Sequence, residues 1–124
     1  MFFENFCDVP TREWPFKFFK PHEIACRGTG GLLMHLEALT ALDALRESLG
    51  GAMRLSSAYR SPYHNANVGG APRSSHLEGH AFDVRLDDWD KANIRAVAEA
   101  VGFTGFGMNY SSFIHIDMGR KREW

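Results

Sequence analysis

Two short segments in which apolar and polar residues alternate constrain the fold of this chain most strongly. Alternation with period two is typical of a β-strand that buries one face and leaves the other free. In the first segment the polar positions are Asp83 and Arg85, and in the second they are His115 and Asp117. Strands are therefore predicted over residues 81–86 and 113–118, with further strands over residues 53–59 and 105–108.

Two segments with apolar residues at every third or fourth position predict amphipathic helices. The first helix is predicted over residues 32–49, where leucine recurs along one face. The second is predicted over residues 88–101, with Asp87 or Asp88 as its N-cap and Gly102 at its end. Helices packed on one side of a small, largely antiparallel sheet make an α+β domain, which is the fold class we expect.

The length and composition of the chain indicate how it is organised. The 124 residues contain no internal repeat and 44% of them are hydrophobic, which predicts one domain over residues 1–124. Residues 1–31 are rich in aromatic side chains and interrupted by prolines, so we expect them to wrap the core as short extended pieces. Cys7 and Cys26 are too few for a disulfide framework, and we expect two buried or partly buried free thiols.

The charge balance and the N-terminal residues argue against several classes of protein. The chain has 14 basic and 15 acidic residues, so a general electrostatic grip on nucleic acid is not expected. No stretch approaches the ~20 apolar residues that span a bilayer, and no membrane partner is expected. The first residues lack a basic start followed by a long apolar run, so we predict synthesis in the cytoplasm without a secretory signal.

The polar faces of the two regular strands present possible metal ligands. Asp83 and His115 lie on the non-core faces of strands that are far apart in the sequence. His76 precedes Asp83 by seven residues, across a turn that contains Gly79. Two imidazoles and one carboxylate are a common protein set for catalytic zinc, which keeps a fourth position for water. The alternative is an ordinary surface role, which is the commoner fate of a single histidine on a strand.

Longer strings around these residues resemble a known family. The string that ends at Asp83 follows the pattern S-x-H-x-x-G-x-A-x-D, and the string that ends at Asp117 follows F-x-H-x-D. In this order they resemble the zinc D-Ala-D-Ala carboxypeptidase family, which includes phage L-Ala-D-Glu endopeptidases and shares its metal site with the Hedgehog signalling domain. The likeness extends from about residue 19 to residue 124 and is strongest to small phage and prophage members.

The resemblance implies a role for each residue of the site. The implied zinc ligands are His76, Asp83 and His115, and the implied substrate-binding residues are Arg60, Ser74 and Asn65. Arg60 would also assist catalysis, because its planar guanidinium suits a substrate carboxylate or carbonyl better than a lysine would. The implied cofactor is zinc, and the implied partner is the peptidoglycan stem peptide.

The chain departs from the family pattern at the catalytic base. Several family members carry an acidic residue or a histidine two or three residues before the last zinc-binding histidine, where this chain has Phe113 and Ser112. Asp117 is the available alternative, because residues i and i+2 of a strand face the same way. Asp117 would either take a proton from the zinc-bound water or orient a ligand through a hydrogen bond.

Two functions of different classes follow from this sequence. The first is a zinc peptidase of peptidoglycan, acting as a D-Ala-D-Ala-type carboxypeptidase or as a stem or cross-link endopeptidase. Such an enzyme would act at the bacterial cell wall, in phage lysis or on a phage tail. The second is a non-catalytic zinc domain that binds cell-wall peptide or a protein partner. The basic run at residues 120–122 is expected to be a solvated edge in either case.

Overall fold

Seven strands and four helices follow one another along residues 1–124 of the computed structural model. The strands are β1 (Phe2–Phe3), β2 (Leu32–Leu33), β3 (Leu55–Ser57), β4 (Ala81–Arg85), β5 (Gly105–Gly107), β6 (Phe113–Asp117) and β7 (Arg122–Glu123). The helices are α1 (Pro21–Ile24), α2 (Leu36–Leu49), α3 (Pro62–Asn67) and α4 (Lys91–Val101), and short 3-10 helices occur at Phe6–Asp8, Thr11–Glu13 and Ser75–Glu78. None of the helices combines the length and the apolar character needed to cross a membrane.

The main sheet has five strands in the order β3, β4, β6, β5 and β7. Neighbouring strands are antiparallel except for β5 and β7, which pair in parallel, so the prediction of a largely antiparallel sheet is confirmed. Between β4 and β6, Asp83 lies opposite His115 and Phe82 lies opposite Ile116. This register places the polar residues of both strands on one face and the apolar residues on the other.

The apolar face of the sheet packs against helices α2 and α4. Phe82 and Ile116 from the sheet are fully buried in one cluster with Leu42 of α2 and Ile94 of α4. Each such side chain contributes about 1.5–3 kcal/mol by leaving water. The core therefore fixes β4 and β6 from one side, and their other face is free to carry the polar residues.

Helix α2 begins four residues later than predicted. Leu32 and Leu33 form β2, which pairs with β1 in a separate two-stranded sheet. His35 is the N-cap and accepts a hydrogen bond from the N–H of Ala38 at 3.2 Å. Leu32 fits the helical spacing of leucines in the sequence, but it is fully buried as part of β2, whereas Leu36 at the start of the helix is 61% exposed. A leucine buried in a strand therefore lengthened the apparent helical pattern.

Helix α4 also begins later than predicted, and its N-cap is neither Asp87 nor Asp88. Asp90 occupies the N-cap position before Lys91. Asp87 adopts a left-handed backbone with φ 47° and pairs with Arg54 at 3.0 Å. It therefore lies in the turn before the helix and does not cap it. The prediction for the C-terminal end is confirmed, because Gly102 has φ 119° and ends the helix.

The first 31 residues contain more helix than predicted. Besides β1 they form two 3-10 turns and α1, which begins at Pro21. A proline suits the first position of a helix because its missing N–H is not needed there. Both cysteines are free as predicted, but only Cys26 is buried, and Cys7 is exposed.

The strand predicted over residues 53–59 is shortened to β3. Its register against β4 shifts between Leu55 and Ser57, and the chain then leaves the sheet. The carbonyl oxygen of Ala58 lies 2.6 Å from Nδ1 of His76, and the N–H of Arg60 donates to the carbonyl of His76 at 3.1 Å. The segment after β3 therefore supports the residues on the polar face rather than extending the sheet.

Candidate metal centre

The three predicted ligands lie together on the polar face of the sheet. Asp83 on β4 and His115 on β6 are opposite each other, and His76 lies in the 3-10 helix that precedes β4. Ser74 caps that helix by accepting a hydrogen bond from the N–H of His76 at 3.3 Å, and Gly79 ends it with φ 78°. Each of the three side chains offers one ligand atom, and these atoms lie within 4.8 Å of one another.

Hydrogen bonds on the outer side of each imidazole orient the ring. Nδ1 of His76 lies 2.6 Å from the carbonyl oxygen of Ala58, and Nε2 of His115 lies 2.7 Å from Oδ2 of Asp117. Both partners are acceptors, so each of these ring nitrogens carries a proton. The opposite nitrogen of each ring then faces Asp83, at 3.2 Å for His76 and 3.0 Å for His115.

This arrangement fits a divalent cation. Both inward nitrogens and Oδ1 of Asp83 are acceptors when the imidazoles are neutral, and acceptors at 3.0–3.2 Å repel one another unless a positive charge lies between them. Protons on the imidazoles or a metal ion would supply that charge. All three side chains are at least nine-tenths buried, and each of them lines the cleft that gives access to the centre. Nitrogen and carboxylate donors are the ligands that zinc takes in proteins.

The pKa values of Asp83 and His115 are shifted by the contacts between them and their neighbours. Burial alone would raise the pKa of Asp83, but hydrogen bonds from His115 and His76 outweigh it and hold this pKa well below its usual value. Burial alone would lower the pKa of His115, but its bonds to Asp117 and Asp83 raise it. Asp83 therefore stays ionised, and either a proton on His115 or a bound cation balances its charge.

Asp117 lies behind His115, fully buried and surrounded by donors. Its Oδ1 accepts from the N–H of Gly119 at 2.9 Å, and its Oδ2 accepts from His115, from Ser75 at 3.2 Å and from Arg122 at 3.4 Å. Burial would raise the pKa of Asp117, but the bond to His115 and the other donors lower it to about 2. The geometry is that of a residue that holds an imidazole in place.

The acid sensitivity of the metal-free protein should depend on Asp117. A carboxyl group whose pKa falls from 3.8 to about 2 on folding stabilises the fold above pH 4 and loses that effect as the pH falls towards 2. We expect the free energy of unfolding to drop across this window in the wild type and to change less in Asp117→Asn. Urea unfolding at a series of pH values, with chelator present, measures it. Parallel pH curves for the two proteins would contradict the assignment.

Glycines on β5 make room for these side chains. Gly105 pairs with Asp117 and Gly107 with His115, and the intervening Phe106 points into the core. A Cβ on Gly105 would overlap the Asp117 carboxylate, and one on Gly107 would come within 2.9 Å of Cβ of His115. Because β5 has no side chain at Gly105 and Gly107, the side chains of Asp117 and His115 have room on the polar face of the sheet.

Replacing Gly105 by alanine should displace Asp117. We expect the free energy of unfolding to fall by about 1–3 kcal/mol, the usual range for an overpacked site, and metal affinity to fall with it. Urea unfolding and zinc titration measure the two effects. Gly31→Ala is the control, because a Cβ there meets no atom closer than 3.4 Å. Equal stability of the two variants would show that β5 does not constrain the carboxylate.

The predicted substrate-binding residues lie at different depths. Arg60 lines the cleft beside the ligands, where its guanidinium reaches Ser57 at 3.0 Å, Asn65 at 3.3 Å and Oδ2 of Asp83 at 3.4 Å. Ser74 also lines the cleft. Asn65 is 4% exposed and does not line the cleft, and its Oδ1 accepts a hydrogen bond from the guanidinium of Arg60.

Sequence reasoning missed the contribution of the C-terminal strand. The parallel pairing of β7 with β5 brings Arg122 and Trp124 to a cleft of about 550 Å³ around the ligands. The Trp124 ring lies 5.1 Å from the His115 ring, and its Nε1 donates to the hydroxyl of Tyr110 at 3.0 Å. Residues 120–122 are all exposed, so the expectation of a solvated edge is confirmed, but Arg122 also lines the cleft and contacts Asp117 at 3.4 Å. The resemblance extends to residue 124, but it assigns no role to any residue after Asp117.

The comparison with protein families agrees with this geometry. The sequence profile described as Peptidase M15 matches residues 17–117, a span that includes the three possible ligands and Asp117. No curated protein matches the chain. Because the profile covers most of the sequence and the buried His-Asp-His group lies within it, the chain belongs to the peptidase M15 family.

Proposed function

We propose that this chain is a zinc-dependent peptidase that hydrolyses a peptide bond of bacterial peptidoglycan. The observation that carries the proposal is the convergence of one free nitrogen from His76 and one from His115 on the carboxylate of Asp83. Three protein ligands are typical of a catalytic zinc, whereas a structural zinc takes four. Membership of a peptidase family supports the same conclusion.

The residues of the site divide the work of such a reaction between them. His76, Asp83 and His115 would hold the zinc, which when bound lowers the pKa of a water molecule and polarises the scissile carbonyl. Arg60, with its guanidinium at the cleft wall, would bind a substrate carboxylate through charge-assisted hydrogen bonds. Ser74 would fix the turn that carries His76 and contact the substrate.

For Asp117 we infer a positioning role rather than that of a general base. Its Oδ2 already accepts from Nε2 of His115 at 2.7 Å, and its Oδ1 accepts from the N–H of Gly119. A base must reach the proton that it removes, and here His115 stands between Asp117 and the cation site. Asp117 instead sets the ring so that Nδ1 faces Asp83.

The expected substrates share a carboxylate close to the scissile bond. A D-Ala-D-Ala terminus ends in one, and an L-Ala-D-Glu bond has one on its glutamate, so a carboxypeptidase and a stem or cross-link endopeptidase both suit Arg60. The enzyme would act at the cell wall of a bacterium, as a phage lysis enzyme or a tail-associated enzyme. The absence of a general acid or base at Ser112 and Phe113 favours one other candidate, a zinc domain that binds wall peptide without cutting it.

Digestion of muropeptides tests the proposal. Cross-linked and uncross-linked muropeptides are incubated with the protein, with chelator, and with chelator followed by excess zinc, and the products are weighed by mass spectrometry. We expect cleavage that chelator abolishes and zinc restores, and the product masses identify the bond. Binding of zinc and of muropeptide without any new fragment would contradict the peptidase and support the binding domain.

A further inference from the structure

A second cavity adjoins the metal cleft, and most of the residues that line it are charged or polar. It has a volume of about 490 Å³, and no hydrophobic residue lines it. Arg73, Ser75 and Arg122 line both this cavity and the metal cleft, so the two spaces share one wall. We call this space the arginine cavity, after the three arginines in its lining, Arg73, Arg120 and Arg122.

Positive charge dominates the arginine cavity. Three arginines line it, and Glu78 is the one acidic residue among its lining residues. The ion pairs of the chain include Arg122 with Asp117 at 3.4 Å, but they involve neither Arg73 nor Arg120. Two permanently charged groups therefore lack a counter-charge in a concave space, which attracts an anion.

His80 also lines the arginine cavity. Its Nδ1 has no hydrogen-bond partner in the chain, but this atom is buried and does not open onto the cavity. The attraction for an anion therefore rests on Arg73 and Arg120.

We propose that the arginine cavity binds a carboxylate of the substrate peptide, separate from the group that Arg60 holds. The inference rests on the proposed peptidase function, because a peptide that lies across the ligands can leave the cleft along the wall of Arg73 and Arg122. Unpaired guanidinium groups bind a carboxylate through paired, charge-assisted hydrogen bonds. The substrate class is a peptide with an ionised carboxylate on a residue next to the scissile bond, on the side that Arg60 does not line.

The shape of this region favours a single carboxylate over a long anionic polymer. A polyanion is held by a continuous basic strip, and the exposed Lys121 between Arg120 and Arg122 does not line the cavity. The chain as a whole has a formal charge of −1, which gives no general attraction to polyanions.

Two peptides test the inference. One has a free carboxylate next to the scissile bond, on the side that Arg60 does not line, and the other has a primary amide at that position, while the group that Arg60 would hold is the same in both. The zinc-loaded wild type should cleave the carboxylate form with a kcat/KM about tenfold to a hundredfold higher, mainly through KM, as expected for charged hydrogen bonds. The double variant Arg73→Gln/Arg120→Gln should lose most of this preference. Lys121→Gln removes a neighbouring charge outside the cavity and should retain it.

Calorimetric binding of the same peptides in the presence of chelator gives a readout that does not need hydrolysis. We expect the same preference in Kd and its loss in the double variant.

Equal kcat/KM and equal Kd for the two peptides would overturn the inference while leaving the peptidase intact. Preserved preference in Kd without cleavage of either peptide would support the cavity and overturn the peptidase. A preference for the carboxylate peptide that survives in the double variant would also overturn the inference. So would a double variant that binds both peptides like the wild type and loses only the binding of an anionic wall polymer.

Discussion

Asp83→Asn should lose zinc binding and peptide hydrolysis together. Oδ1 of Asp83 is the atom that both inward imidazole nitrogens face, at 3.2 and 3.0 Å, and an amide removes the negative charge that offsets the cation. Removing even an outer partner of a metal ligand costs about 10–100-fold in affinity, so we expect a loss on the order of a hundredfold or more for a ligand itself. Competition with a chromophoric chelator measures zinc affinity, and muropeptide digestion measures activity.

The matched control for this variant is Asp87→Asn. The chemical change is the same, but Asp87 lies in the turn after β4 and pairs with Arg54 and Arg85 outside the metal cleft. It should bind zinc and cleave peptide like the wild type. Wild-type zinc affinity in Asp83→Asn would place the metal elsewhere and refute the site.

Asp117→Asn should weaken zinc binding rather than remove a catalytic proton acceptor. An asparagine cannot accept from both His115 and the N–H of Gly119, because one of its two polar atoms is a donor. The ring of His115 then loses its fixed tautomer, and we expect zinc affinity to fall about 10–100-fold. At saturating zinc, the rate should largely recover, and the pH dependence of kcat should keep its wild-type shape.

The opposite pattern would identify Asp117 as the general base. Loss of a base costs about 10²–10⁴-fold in rate and removes the acidic limb of the pH profile while zinc stays bound. Ser75→Ala is a useful companion, since it removes one of the weaker donors to Asp117, at 3.2 Å, and leaves the bond to His115 intact. It should change zinc affinity less than Asp117→Asn does.

The strands and the candidate ligands could be predicted because their signals are local. Period-two alternation identified β4 and β6, and the same alternation put Asp83 and His115 on the face away from the core. Antiparallel pairing of these strands then made the two residues neighbours. His76 is near them in the sequence, across one turn that ends at Gly79. The candidate metal centre could therefore be predicted from short-range patterns together with the two strings that resemble the family.

The parts that escaped prediction depend on contacts between distant segments. The start of α2 was misplaced because Leu32 is buried by its pairing with β1, which no local pattern reveals. Arg122 reaches the cleft only through the parallel pairing of β7 with β5. The donors around Asp117 likewise come from several segments, so the sequence left its role undecided between base and positioning residue. Its buried environment now favours positioning.

X-ray absorption at the zinc edge, on protein with a measured metal content, tests whether His76, Asp83 and His115 hold a zinc ion. We expect one zinc ion per chain, with two nitrogen ligands at about 2.0–2.1 Å and carboxylate or water oxygens at about 2.0–2.2 Å. Asp83→Asn should lose this spectrum. Sulfur scattering at about 2.3 Å, which would implicate a cysteine, or a failure to bind stoichiometric zinc would contradict this assignment.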